Sequence, residues 1–456
     1  MFAYKVTGGK PVTGEIRCLG AKNFVTKAMV CSLLGDGPTI LTNVPAIGDV
    51  DITKNLLESI GAKVKWMDAT TLQIDPTKIN TYKVNTPDSR SSRIPILLVP
   101  ALLHRLGKAS VPRVGGCKLG ARQVDFHIEA AKLFGAEVKD TKTGYASSVK
   151  GKRLVGTHYE MPYPSVGATE TFLFLASMAE GTSIISNAAV EPEIMELITM
   201  LRSMGAVIFL SPNREIRVEG VKKLSGTKMF VLGDRIEAAS WASLACASNG
   251  DITVHGIRPD TLGNYLSYFR QIGGGFEFVG NESIRFFRAS ELKPAMMETG
   301  VYPGFSTDWQ QPFAILLTQA NGFSVVHETV YESRFGYLET LNKLGAKTQL
   351  TTHCMGEPCR YENHDHLHSA LIMGKTPLKA IDEPIEVPDL RAGLAYVIAA
   401  VIAKGTSLIT NIDLLERGYG KLEERMVTLS IDLEKVEIPD GKVAAKNWFK
   451  KFLEKI

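Results

Sequence analysis

The segment Arg113-Val114-Gly115-Gly116-Cys117-Lys118-Leu119-Gly120-Ala121-Arg122 sets one thiol among three glycines and three cations. Glycine lets a backbone approach a ligand closely, and neighbouring positive charge lowers a cysteine pKa, making the thiol a usable nucleophile or proton donor. The spacing is neither the dinucleotide fingerprint nor the phosphate loop that ends in Gly-Lys-Ser/Thr. On these residues alone, a surface loop with an incidental cysteine also fits. A second concentration of reactive side chains runs from His353-Cys354 through Cys359 to His364, His366 and His368. Cys354 and Cys359 satisfy the C-x₂₋₄-C spacing of zinc ligands. The alternating histidines suit one face of a strand, so the stretch reads as a solvated loop or hairpin in an insertion before Asp389, and no metal is expected.

Chemistry of either kind needs elements to position it, and the chain repeats one set of them. An amphipathic helical run, a small-residue turn and a β-branched strand recur as LLESIGAKVKW (Leu56–Trp66), AAKLFGAEV (Ala130–Val138), LRSMGAVIFL (Leu201–Leu210), FRQIGGGFEFV (Phe269–Val279) and LNKLGAKTQL (Leu341–Leu350). Glycine at each helix end suits a left-handed C-cap, which a side chain would strain. A second phrase precedes these: GDGPTILTNVP, AEGTSIISNAA, SNGDITVHGI, ANGFSVVHETV, AKGTSLITNID and, more weakly, HRLGKASVPRV. Its turn glycines, Gly37, Gly107, Gly181, Gly250, Gly322 and Gly405, lie 69 to 83 residues apart. The chain therefore reads as six copies of one α/β unit. The last is degraded, with Ser430-Ile431-Asp432 where Gly-Ala is expected. Units of this length exceed solenoid repeats. Two lobes of three, each with a shared core and a ligand cleft between them, is the economical arrangement.

The 456 residues carry a net charge of +4, with 45% hydrophobic and 22% charged content. This composition excludes disordered, collagenous and disulfide-scaffold classes. The small charge gives no footprint for nucleic acid. The longest apolar runs, Ile94 to Leu103 and Leu394 to Ala403, are about half of what spans a bilayer. No signal peptide is visible at the N-terminus, and the six cysteines do not resemble a disulfide framework, so a reducing cytoplasm is expected. Cys18, Cys31 and Cys246 sit in apolar patterns as small core residues. Lys442 to Ile456 reads as an amphipathic helix that packs on its own lobe.

Gly116-Cys117-x-x-Gly120-x-Arg122-x-Val124-Asp125-x-His127 resembles the catalytic loop of the UDP-N-acetylglucosamine 1-carboxyvinyltransferase family. The resemblance extends from the N-terminus to about Leu429. It takes in Gly20-Ala21-Lys22-Asn23, Ser165-Val166-Gly167-Ala168-Thr169, Asn187-Ala188-Ala189, Glu191-Pro192-Glu193 and Asp234-Arg235-Ile236-Glu237. Thr307-Asp308, Asp389-Leu390-Arg391 and Arg417-Gly418-Tyr419 follow in order. It implies a two-lobed inside-out α/β barrel, the enolpyruvyl transferase fold, with six βαβαββ repeats, three per lobe. Lobe one would hold residues 22–232 with the cysteine loop. Lobe two would hold 1–21 and 233–456, because the first strand belongs with the second half.

The implied reaction moves the enolpyruvyl group of phosphoenolpyruvate to the 3-hydroxyl of UDP-N-acetylglucosamine by addition and elimination. Phosphate is released, at the first committed step of peptidoglycan synthesis. No organic cofactor, metal, nucleic acid or membrane is implied, and the oligomeric expectation is a monomer or weak oligomer in the cytoplasm. Lys22, Arg122 and Arg417 match the phosphoenolpyruvate-binding positions, with Arg391 completing the anion site. A further family arginine falls on Arg93, 24 residues before Cys117, with Arg90 the alternative. Cys117 would protonate the methylene carbon and be alkylated by fosfomycin. Asp308 would take the proton of the sugar hydroxyl; without the resemblance it reads as a turn or helix N-cap aspartate. Catalysis would rest on Cys117, Asp308, Lys22 and Arg417. Asn23, Arg122, Gln123, Val124, Asp125, Phe126, Ser165, Val166, Gly167, Asp308 and Val330 would bind the nucleotide sugar. Gln123 replaces a usual proline and Tyr163 falls near a usual lysine, which leaves a paralogue acting on another uridine nucleotide as the alternative. Glu416 and Gly420 depart from the family around Arg-Gly-Tyr in minor ways.

Overall fold

In the third repeat the units of the fold can be followed in order. Strand His158–Glu160 leads into helix Val166–Ala176, strand Thr182–Ser186 and helix Pro192–Ser203, then a hairpin of Val207–Ser211 with Glu215–Glu219. His158–Glu160 runs parallel to Thr182–Ser186, whose other edge pairs antiparallel with the hairpin. A parallel pair needs a crossover, which the first helix supplies, whereas the hairpin needs only a turn. The computed structural model describes residues 1–84, 92–113, 124–151, 153–356, 359–362, 364–388 and 393–454. Among these the strands form six sheets, five of four strands and one of three. In the three-stranded sheet, a parallel bridge from Lys83 to Ser110 marks the position of the missing edge.

The described residues fall into two units, one formed by 20–232 and the other by 1–19 with the residues from 233 onward. Each holds three of the sheets. In the 20–232 unit, helix Ile94–Leu106 packs on both Lys22–Cys31 and Val166–Ala176. In the other, Arg235–Ala247, Gln310–Leu317 and Gly393–Ile402 pack on one another. Every residue of Arg235–Ala247 and Gln310–Leu317 is buried. A helix enclosed on all sides belongs in a core rather than on a surface. Each unit is therefore built with helices inside and sheets outside.

Chain order and sheet order part company at the joins. Lys228–Phe230, after the third repeat, supplies the parallel edge of the first repeat beside Thr39–Thr42. Thr13–Arg17 does the same for the fourth repeat beside Asp251–His255. The sixth repeat lacks a returning hairpin strand. Phe2–Gly8 takes that place, antiparallel to both Gly405–Thr410 and Asp432–Glu437.

Backbone conformation explains the two sequence phrases. Gly61, Gly135, Gly205, Gly273 and Gly345 all have positive φ, between 89° and 108°, at the helix ends. Ser430 holds the equivalent position in the last repeat at φ 55°. In the first, third and sixth repeats an asparagine follows the strand in the left-handed region, at Asn43, Asn187 and Asn411. Each side-chain amide donates to a carbonyl at the parallel edge, Val231, Met161 and Val387, at 2.8 Å in all three.

Cys18, Cys31 and Cys246 are core residues. Burial pushes the Cys31 thiol well up and the Cys246 thiol to about 12. Helix Lys442–Leu453 packs Phe449 and Ala445 on Ala3, Leu408 and Ile438. No described helix is long and apolar enough to cross a membrane.

The stretch around Cys354 to His368 departs from the solvated loop or hairpin expected of it. His364 and His366 are exposed, but no strand runs through them; the strand begins at Ser369. Cys359 and His368 are buried, with His368 fully enclosed. His368 directly precedes Ser369, which pairs with His327, and its backbone is bonded to Thr351 and Glu328.

Candidate functional site

Lys22 and Asn23 open helix Lys22–Cys31, whose first turn contains no acidic residue to oppose a bound anion. The turn before it is tightly held. A Cβ on Gly20 would come within 2.1 Å of the Asn43 carbonyl oxygen, and the Ala21 N–H donates to the Leu232 carbonyl at 2.7 Å. Both side chains are half-buried. Arg93 is the residue before helix Ile94–Leu106 and stands near enough to His127 to disfavour its protonation. Burial is the larger cause, and together they hold the His127 imidazole down at about 3.

His127 joins two of the segments expected to bind the nucleotide. Val124 precedes helix Asp125–Leu133, with Val124 buried, Phe126 half-buried and Asp125 exposed. Ser165 caps helix Val166–Ala176 by accepting the Ala168 N–H at 3.4 Å. The His127 ring lies directly against Gly167, where a Cβ would meet its Cε1 at 3.0 Å. On its other side His127 Nδ1 is 2.7 Å from Thr171 Oγ1. The segments 124–126 and 165–167 are thus locked edge to edge through one imidazole. Residue His127 belonged to the motif around the cysteine loop, but nothing in the spacing gave it this role. Deeper in the same helix, burial raises the Glu170 carboxyl to about 7 against the pull of Lys27, with Glu193 and Glu191 raising it further.

In the other unit, Asp308 lies just before helix Gln310–Leu317. Its carboxylate Oδ1 accepts from Arg334 Nη2 at 2.5 Å, and the same nitrogen reaches the Thr307 carbonyl. The Arg334 side chain is wholly buried and that of Asp308 is 15% exposed. Glu328, also fully buried, ties this turn to the next. Its Oε2 accepts from Thr307 Oγ1 and Gln310 Nε2, both at 2.9 Å. Its Oε1 accepts the backbone N–H groups of Val330 at 2.8 Å and Tyr331 at 3.1 Å. Burial raises the Glu328 carboxyl, opposed by Arg334 and these donors. Asp308 and Val330 are therefore linked through Arg334 and Glu328, two residues that no motif in the sequence marks. The one available signal for Glu328 was a charged residue closing the apolar strand Gly322–His327.

Arg417 follows helix Asp413–Glu416 and is half-buried. Neighbouring Glu416 accepts from the Tyr4 hydroxyl at 2.8 Å and pairs with Lys435 at 2.7 Å. Glu416, one of the departures from the family pattern, thus makes structural contacts. Asp234 caps helix Arg235–Ala247 by accepting from Ile236 and Glu237, and Glu237 receives Trp241 Nε1 and Arg425. The Asp-Arg-Ile-Glu motif is a packing device in this unit. Cys117, Arg122, Gln123, Arg90 and Arg391 lie outside the described residues.

The 20–232 unit supplies cations at or beside helix starts, which can hold an anion; the other unit, by itself, supplies a carboxylate oriented by a buried guanidinium, which can take a proton. The EPSP synthase (3-phosphoshikimate 1-carboxyvinyltransferase) family model matches residues 6–426. The UDP-N-acetylglucosamine 1-carboxyvinyltransferase of Protochlamydia amoebophila is 42% identical over 96% of this chain and 95% of its own length. That of Chlamydia trachomatis serovar D is 45% identical over 93% and 96%. Among solved structures, the enolpyruvyl transferase NikO from Streptomyces tendae superposes with a TM-score of 0.84 at 21% identity, covering 96% of this chain and 99% of that one. EPSP synthase from Acinetobacter baumannii gives 0.71 at 17% identity, covering 96% and 100%. At these identities the two structures show a shared fold.

Proposed function

Because the chain belongs to the UDP-N-acetylglucosamine 1-carboxyvinyltransferase family, we propose that it transfers the enolpyruvyl group of phosphoenolpyruvate to the 3-hydroxyl of UDP-N-acetylglucosamine. The observation that carries this reading is identity of 42–45% over at least nine-tenths of both chains. We place the reaction in the cytoplasm, at the entry to peptidoglycan synthesis.

In this reading the sugar hydroxyl gives its proton to Asp308 as its oxygen bonds to C2 of phosphoenolpyruvate. Cys117 delivers a proton to the C3 methylene, and a tetrahedral adduct results. Loss of a proton from C3 and departure of phosphate restore the double bond, now on the sugar as an enol ether. Lys22, Arg93, Arg122, Arg391 and Arg417 would hold the phosphate and carboxylate. Fixed cations aimed at developing charge are usually the largest catalytic contribution. The Arg334 contact supports the role of Asp308, since a base must be held in orientation before it accepts a proton. Contact of His127 with Gly167 supports a common nucleotide-binding role for 124–126 and 165–167, with Asn23, Gln123 and Val330 completing the set.

The test is phosphate release from phosphoenolpyruvate, measured with UDP-N-acetylglucosamine and with other uridine nucleotides. Release that depends on UDP-N-acetylglucosamine is expected. Release supported only by another nucleotide would assign a different acceptor, and none with any acceptor would remove the activity. Fosfomycin should alkylate wild-type protein at Cys117 and leave Cys117→Ser unmodified.

A further inference from the structure

We propose that the chain carries a structural zinc site formed by His327, Cys359 and His368, with Cys354 as the fourth ligand. Its grounds are separate from those of the enolpyruvyl reading. One ligand atom from each of His327, Cys359 and His368 lies within 4.8 Å of the other two, and all three residues are buried. Cys359 Sγ is 3.4 Å from His327 Nε2 and 3.5 Å from His368 Nε2. Cys354 Sγ is also 3.5 Å from His368 Nε2. With Zn–S near 2.3 Å and Zn–N near 2.0–2.1 Å, a tetrahedral site places sulfur and nitrogen about 3.5 Å apart. These three sulfur–nitrogen distances match that length, and Cys354, outside the mutually close group of three, would swing its sulfur in to complete the site.

The outer faces of the two imidazoles settle their tautomers. His327 Nδ1 is 2.8 Å from a Glu298 carboxylate oxygen, and His368 Nδ1 is 2.7 Å from the His366 carbonyl. Both oxygens only accept, so both Nδ1 atoms carry the proton and both Nε2 atoms turn a lone pair toward Cys359. A carboxylate or carbonyl behind each histidine is the arrangement that orients metal-bound imidazoles. The Cys359 sulfur accepts the Tyr361 N–H at 3.4 Å. One thiol proton serves only one of two facing nitrogen lone pairs, whereas a cation satisfies both and the sulfur together.

The frame behind the ligands is a sheet. His327 is opposite Glu298 in the parallel pairing of Met296–Glu298 with Gly322–His327, and opposite Ser369 in the antiparallel pairing with Ser369–Gly374. Cys354 and Cys359 come from the connection between Lys347–Thr351 and Ser369–Gly374. Connections longer than about 12–15 residues without regular structure are uncommon unless something ties them down. Three of the ligands are buried and Cys354 is half-buried; with all four engaged no position is left open for a substrate, which marks the site as structural.

The experiment is zinc analysis of the full-length protein after dialysis against metal-free buffer, with Co²⁺ substitution as a spectroscopic check. One zinc per chain is expected, and the Co²⁺ form should show sulfur-to-cobalt charge-transfer absorption with the visible bands of a tetrahedral site. Cys359→Ser should lose the ion. Glu298→Gln should keep the fold and weaken zinc binding by roughly 10- to 100-fold, as loss of an outer partner does. His364→Ala with His366→Ala, and separately Cys117→Ser, should each retain one equivalent. Wild-type protein that takes up no Zn²⁺ from solution would overturn the proposal in favour of a thiol–imidazole hydrogen-bond network. Zinc lost with the exposed histidines or with Cys117, or a Co²⁺ spectrum without sulfur ligation, would also overturn it. If Cys359→Ser fails to fold, the wild-type cobalt spectrum and the Glu298→Gln affinity still decide.

Discussion

At the residue scale, Asp308 depends on a partner that no motif names. Arg334 contributes one fork nitrogen to the Asp308 carboxylate and the Thr307 carbonyl from a fully buried position. Removing one partner of a buried pair typically costs about 3–5 kcal/mol. Arg334→Ala should therefore lower unfolding free energy by roughly 3 kcal/mol, read in urea titrations. If Asp308 is the base, kcat should fall more than KM rises. Glu170 offers a pH test in the other unit. Its folded pKa of about 7 lies above the ordinary carboxyl value of 4.5, so the folded state keeps a proton that the unfolded chain releases. The stability it contributes is complete below about 4.5 and is lost as pH rises through about 7. Glu170→Gln should remove that loss, on the order of 3 kcal/mol between the two ends of the window, in unfolding titrations above and below it. Asp308 was legible because it sits in a short contiguous motif. Arg334 and Glu328 were not, because their roles arise from contacts between turns that spacing along the chain does not encode.

At the element scale, the repeated helix ends were legible because a left-handed C-cap leaves a local mark, glycine, that needs no tertiary partner. Ser430 shows the limit of that mark. It adopts the same conformation at φ 55° without being glycine, so the sixth repeat looked more degraded in sequence than in backbone. Ser430→Gly should stabilise the protein by about 1 kcal/mol, measured by thermal or urea unfolding, because the left-handed strain of a side chain is removed. Gly167 is the converse case. A methyl group there would press on the His127 ring at 3.0 Å. Gly167→Ala should cost roughly 1–3 kcal/mol. It should also raise KM for the nucleotide sugar more than KM for phosphoenolpyruvate, if 124–126 and 165–167 bind the nucleotide together. The asparagines at 43, 187 and 411 were visible as part of a phrase, yet their purpose was hidden. Each holds the end of the parallel edge strand of its sheet, and for Asn43 that strand arrives from beyond the third repeat, which only the pairing reveals.

At the scale of the whole molecule, six repeats become three sheets in each unit by borrowing strands across the joins. Phe2–Gly8 lies between two strands from the far end of the chain, with Tyr4 and Val6 in the core. Deleting residues 1–8 should expose the amides of Gly405–Thr410 and Asp432–Glu437 to hydrogen exchange, while the 20–232 unit keeps its protection. The same borrowed strand sets a timetable for synthesis. Every pairing in the 20–232 unit is available once Phe230 has been made, so that half can close while translation continues. Phe2–Gly8 is made long before its partners, Gly405 to Ile409 on one side and Asp432 to Glu437 on the other. At roughly 5–20 residues per second, it waits about 20–90 s without its sheet. A strand with unpaired edges is a template for wrong pairing. The second unit is therefore completed only once Glu437 is available, and its yield in a cell depends on what protects Phe2–Gly8 until then.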